Sequence, residues 1–310
     1  MRIFVGGSKG LVLFEDGDET NLAEDPVECL LRLPTRLLAG TVSGRVLVWE
    51  NNGDARVAAK DIGEGINDLR AAARGAVFAA SFPAGAWISR DGGETWDDLP
   101  AFEESPGAEN WGVTDGYPLA SAVATHPRDS KTIYIGVEAG GVYRTRNTGK
   151  KWFDLGLPSD GVQTIEVSPA KHDRVYVTTT EGCYCSDDEG FNWRKMGVSN
   201  VKQVSLGLSA HPVEADRVIV SASSGNPDEW DRKSPTSDIY LSTDAGRRFR
   251  TVSKNLKGKV GRRGLVINPK VPSEVAFATS NGDVHYSNDG GESFDKVGTK
   301  LGDIATICFA

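Results

Sequence analysis

Short apolar or alternating runs recur along the whole chain, at the roughly 8–12-residue spacing of short strands, and Gly, Pro, Asp or Asn bounds each of them. The runs fall into a repeating order. A small-apolar strand ends in a Pro turn ("SAVATHP", "TIEVSP", "GLSAHP", "LVINP"), and a β-branched strand follows ("TIYIGV", "RVYVTT", "RVIVSA", "EVAFAT"). After a Gly-containing loop comes a third strand ("GGVYRT", "SDIYLS"), then a polar turn, then a short fourth strand such as "KWFDL". Four-strand units of about 40–45 residues predict an all-β fold, a β-propeller of four-stranded blades formed by one domain over 1–310. Counting second–third strand pairs gives seven blades, with six and eight left open because the first two units are eroded. The chain starts at a second strand and ends in "DIATICFA", which has no second strand after it. Ile304–Phe309 is therefore expected to pair with Ile3–Val5, closing the ring between the N- and C-terminal strands and leaving no open edge.

The polar turn is itself a repeat: "SRDGGETW" at 89, "TRNTGKKW" at 145, "SDDEGFNW" at 186, "STDAGRRF" at 242 and "SNDGGESF" at 287. A catalytic group is needed once, whereas a turn brace is needed in every blade. Asp91, Asn147, Asp188, Asp244 and Asp289 are accordingly read as structural acceptors for turn amides, with Gly in a left-handed position and the Trp or Phe packed inward. A calcium loop is the sharper alternative, but the additional carboxylates it needs are missing. On these motifs the chain resembles the Asp-box (BNR) repeat propellers, a group spanning sialidase-like enzymes, photosystem assembly factors and sortilin-like receptor domains. The resemblance implies that each box caps the hairpin of the third and fourth strands.

Two connections break the period. From box aromatic to the next Pro turn the span is 31 residues after Trp96, against 17–20 elsewhere; from Pro turn to next box it is 30 after Pro212, against 17–18. The excess lies in "FEESPGAENWGVTDGYP" (102–118) and "SSGNPDEWDRKSPTS" (223–237), which topology assigns to one face of the ring. Long loops on a rigid scaffold are where binding sites concentrate. Trp111, Tyr117 and Trp230 are the candidate stacking surfaces, and pinning of each loop by its own Trp is the competing reading. Arg263 is the candidate anion contact, and Asp68, Gln163, Lys202, Gln203 and Arg262 enter the same face. Glu138, Glu181 and Asp115 are the carboxylates to test for proton transfer, since glycoside hydrolysis needs two of them opposed.

Composition narrows the function classes. A net charge of −8 without a basic stripe argues against nucleic acid. Four cysteines and four histidines without ligand spacing give no disulfide framework or zinc site, so no metal or cofactor is expected. No apolar run is long enough for a membrane helix, and "MRIFVGGSKG" lacks the pattern of a leader, which reads as cytoplasmic. The resemblance leaves two functions. The first is a binding or assembly module that takes a glycan or protein ligand on the face bearing 102–118 and 223–237. The alternative is a glycan-active enzyme, a hydrolase or lyase; the three channel arginines of sialidases have no evident counterpart.

Overall fold

The computed structural model describes the chain except residues 52, 114–115, 198–202 and 231 and the side chains of 203 and 228. Of the sequence candidates, Asp115 and Lys202 lie outside the described residues. Seven four-stranded antiparallel sheets form the seven blades of a β-propeller. The inner strands of blades 1 to 7 are Ile304–Phe309, Val27–Arg32, Gly65–Ala71, Ala120–Thr125, Val162–Val167, Gln203–Ala210 and Leu265–Ile267. Blade 1 takes its inner strand from the C-terminus: Ile3 pairs with Phe309, Val5 with Ile307 and Gly7 with Ile304. The predicted closure is present.

The strands are apolar on both sides because each blade is sandwiched between two others. Ile133–Val137 and Val175–Thr179 are buried at every position. The core is accordingly a ring of interblade layers. One joins Ala122, Tyr134 and Val142 of blade 4 to Val162, Ile165 and Val175 of blade 5. Outer strands vary in length, from Asp97–Asp98 in blade 3 and Arg194–Lys195 in blade 5 to Arg250–Lys257 in blade 6.

The five repeated turns share one hydrogen-bond pattern between third and fourth strands. Ser89 Oγ donates to Asp91 Oδ1 (2.8 Å) and accepts from Gly93 N–H (2.8 Å), while Thr95 N–H donates to Asp91 Oδ1 (2.9 Å). Thr145/Asn147, Ser186/Asp188, Ser242/Asp244 and Ser287/Asp289 repeat it, with bonds from backbone N–H to the Asn or Asp Oδ1 of 2.9, 2.8, 2.8 and 3.1 Å. The motif Gly is left-handed in each copy, and so is the residue before it: Gly92, Thr148, Glu189, Ala245 and Gly290 all have positive φ. Blade 1 lacks the motif and turns through Asp16 and Gly17, both left-handed, as a two-residue Asp-Gly hairpin does.

Candidate functional site

A turn of sequence Gly-Arg-Arg-Gly crosses the waist of the central channel. Gly264 N–H donates to Gly261 O (3.0 Å), and the two arginines between them point to opposite ends. The turn must run close against its neighbours: a side chain on Gly261 would meet Ala305 O at 2.4 Å. Ile307 N–H donates to Arg263 O and Thr164 Oγ1 to Arg262 O, tying the plug to blades 1 and 5.

Arg263 is 8% exposed and ion-paired with the buried Asp68 of blade 3, its Nε donating to Oδ1 at 3.0 Å and its Nη2 to Oδ2. Asp68 also accepts Val123 N–H of blade 4 (2.9 Å), so one carboxylate joins three segments of the ring. Burial would raise that carboxyl, but Arg263 and Arg70 beside it and the bonds it accepts hold it below its ordinary value. Arg263 was expected among the loops. It instead belongs to the waist and lines the cavity on the far side, where the Pro turns are, because Arg262 already occupies the loop side.

On the loop side a cavity of about 450 Å³ is lined by Glu28, Glu138, Gln163, Trp230, Lys259, Arg262 and Asp303 among others. Arg262 organises it. Its Nε donates to Gln163 Oε1 (2.9 Å), and its Nη2 to Glu138 Oε1 (3.2 Å), which also accepts from Gln163 Nε2 (2.8 Å). On the other edge its Nη1 lies 4.0 Å from Glu28 Oε1. Burial pushes the Glu28 carboxyl up against the opposing pull of Arg262 and Lys259. Two carboxylates in unlike environments thus flank one guanidinium. Trp230, from the 223–237 insertion, lines the same cavity, its Nε1–H held by Ser224 O (2.9 Å) and Lys259 Nζ 5.9 Å from its ring. A planar array of donors and acceptors beside an aromatic face suits a polyhydroxylated ring.

The other sequence candidates separate. Trp111 is on the same face as Trp230, but it is 9% exposed and packs on Phe102, with Nε1–H donating to Tyr143 Oη (2.8 Å) of the next blade. It pins the 102–118 insertion between blades 3 and 4 and offers no open face for stacking. Tyr117 is 54% exposed, edge-on to Phe82, and is the described aromatic of that insertion left to solvent. Glu181 is exposed, accepts from Ser159 Oγ (3.1 Å) and does not line the cavity. Asp115 is outside the described residues. Sequence reasoning passed over Glu28, although a carboxylate in the otherwise apolar inner strand "VECLLR" was its available signal.

Among the described residues no helix is long and apolar enough to cross a membrane, and no three His, Cys, Asp or Glu side chains are grouped to hold a metal. No family model matches the chain. The oligoxyloglucan-reducing end-specific xyloglucanase of Emericella nidulans is 33% identical over 90 residues, 28% of this chain and 10% of that protein. The GH74 xyloglucanase from Xanthomonas campestris superposes with a TM-score of 0.73 at 13% identity, covering 96% of this chain and 52% of that one. The GH74 enzyme of Niastella koreensis gives 0.69 at 15% identity over 88% and 45%. The chain therefore spans about half the length of these solved structures and a tenth of the curated relative. At these identities the structural likeness shows a shared propeller fold.

Proposed function

We propose that this chain is an Asp-box propeller that binds glycans at the loop-side mouth of its channel, as a binding or assembly module. The observation that carries the reading is the Arg262–Gln163–Glu138 network lying beside the half-exposed ring of Trp230 in one cavity. Sugars are recognised by such pairings of planar polar groups with an aromatic face. The xyloglucanase neighbours support a β-glucan as first ligand to try, and xyloglucan oligosaccharides as the probe. Calorimetric titration of the wild-type chain with them should give saturable binding that Arg262→Met weakens at least tenfold. Absence of binding to xyloglucan, cellulose and mixed-linkage oligosaccharides alike would end the glycan reading.

One observation favours a second reading, glycoside hydrolysis. Glu28, pushed toward its protonated form by burial, would serve as acid, and Glu138, held by Arg262 and Gln163, as the opposing carboxylate. Reducing-end release from xyloglucan that disappears in Glu28→Gln while oligosaccharide binding persists would convert the module into an enzyme. Release from neither protein leaves the binding reading standing.

A further inference from the structure

The far side of the Arg263 plug opens into a larger cavity, about 720 Å³, framed by the inner strands and by Pro34, Pro127, Pro169, Pro212 and Pro269 of the turns that follow them. Its wall is mostly aliphatic, with Leu31, Leu33, Val167, Leu208 and Val266 among the lining residues. A volume of this size and an apolar wall are those of a small-molecule site. The charged side chains that line it are unevenly divided: Arg32, Arg70, Arg263 and Lys270 against Glu166.

The floor carries unfilled donors. Arg263 spends Nε and Nη2 on Asp68, but its Nη1 is buried and has no hydrogen-bond partner. Arg32 Nε, near the rim, is likewise buried and unpartnered. Arg70 has no hydrogen-bonded or ion-paired partner among the described residues; Asp68 and Glu166 act on it only through space. Desolvation and the neighbouring Arg263 bring its guanidinium below the ordinary value, and an anion beside it would favour its charged form against both. Glu166 stands on the same wall as the one opposing side chain; burial raises its carboxyl, while Arg70, the Ala210 N–H bond that one of its oxygens accepts (2.9 Å) and Arg263 pull the other way. Buried guanidinium donors without partners are costly, and a carboxylate is the group whose geometry fills them.

We propose that this cavity is a second, separate binding site, for a small amphipathic carboxylate of the fatty-acid type. The carboxylate lies on Arg70 with the unpartnered Nη1 of Arg263 beneath it, and the apolar body lies along the aliphatic wall toward the prolines. The plug keeps this ligand apart from the loop-side mouth, so the inference stands independently of the glycan reading.

The test is a calorimetric titration of the full chain with octanoate, with octan-1-ol as the uncharged partner of the same shape and inorganic phosphate as the bare anion. Octanoate should bind saturably, one per chain, at least tenfold tighter than either comparator. Arg70→Met should remove that preference, bringing octanoate to the level of octan-1-ol, while circular dichroism and cooperative melting show that the propeller still folds; any shift in melting temperature reports the through-space attraction to Asp68 and Glu166 and the repulsion from Arg263 that are lost with the charge. Xyloglucan oligosaccharide titrations should be the same in both proteins. Equal binding of octan-1-ol and octanoate would reduce the site to an apolar hollow, and phosphate binding as tight as octanoate would reduce it to an adventitious ion site. No saturable binding, or octanoate binding unchanged in Arg70→Met, would overturn the proposal.

Discussion

The two mouths lie at opposite ends of one ring of inner strands, yet they differ in chemistry. The loop-side mouth is smaller and more polar, with Glu28, Glu138 and Asp303 set against Lys259 and Arg262 and Trp230 in the same lining. The turn-side mouth is larger and aliphatic, with its cations at the bottom. What separates them is the turn at Gly261–Gly264, whose two central residues line different mouths, Arg262 the loop side and Arg263 the far side. Symmetry explains the rest. Proline turns recur in five of the seven blades, so their mouth is the more regular one, whereas the loop side carries the insertions and hence the individuality.

The comparison can be broken most severely at the plug itself. Arg263→Met leaves Asp68 as a buried charge without its partner, and this should destabilise the fold by about 3–5 kcal/mol. Chemical denaturation would show the shift in midpoint. The double variant Asp68→Leu/Arg263→Met should recover most of that loss, since it removes the charge as well as its partner. A single variant as stable as the wild type would mean that the pair does not hold the two mouths apart.

The turn side can be loosened without touching either mouth. Asp91→Ala removes the acceptor of four bonds and should cost about 1–2 kcal/mol, with octanoate and oligosaccharide binding unchanged. Titration gives an independent check. Burial would raise the Asp91 carboxyl, but bonds from Thr95, Ser89 and Glu94 outweigh it and take it from 3.8 to about 2. The folded value lies below the unfolded one, so the ionised form is the stabilising one. Its contribution is full above the unfolded value and fades as pH falls toward about 2. After discounting for solvent screening at this exposed side chain it amounts to about 1 kcal/mol. Comparing melting of wild type and Asp91→Asn between neutral pH and pH 2 should show the wild type losing the additional amount; parallel curves would argue against the assignment. Blade 4, which already carries Asn147 in this position, has no such titration to lose.

On the loop side, Trp230→Ala should weaken oligosaccharide binding by about 1 kcal/mol while leaving the melting temperature nearly unchanged. Trp111→Ala should do the reverse, because that ring fills the interblade core beside Phe102, Tyr143 and Trp152. The contrast also marks the limit of the sequence. Both tryptophans sit in insertions amid carboxylates, and nothing local tells them apart. The deciding partner of Trp111 is Tyr143, 32 residues away on the next blade. Blade order, ring closure and turn braces were legible because repetition writes them several times over. The site was less so. Arg262 and Gln163 stood out as loop-side entries, but their contact spans 99 residues, and that Arg263 would face the other way depended on where the ring places one turn. Glu28 stayed hidden in an apolar strand because its meaning comes from Arg262 across the channel.

The smallest effect concerns how strictly the turn side is repeated. The residue before each motif glycine is left-handed in all five copies, yet only blades 3 and 7 supply glycine there, as Gly92 and Gly290. Blade 4 supplies Thr148 at φ 58°, a β-branched residue in a region that costs side chains about 1–2 kcal/mol. Thr148→Gly removes that strain and pays back part of it as additional freedom in the unfolded chain, about 0.5–1 kcal/mol. A net gain of about 0.5 kcal/mol should remain, visible as a small rise in denaturation midpoint. The same change at Ala245 in blade 6, which is not β-branched, should gain less. If both lost stability, conformational strain would not be what distinguishes the glycine and non-glycine copies, and side-chain contacts special to each blade would have to account for them.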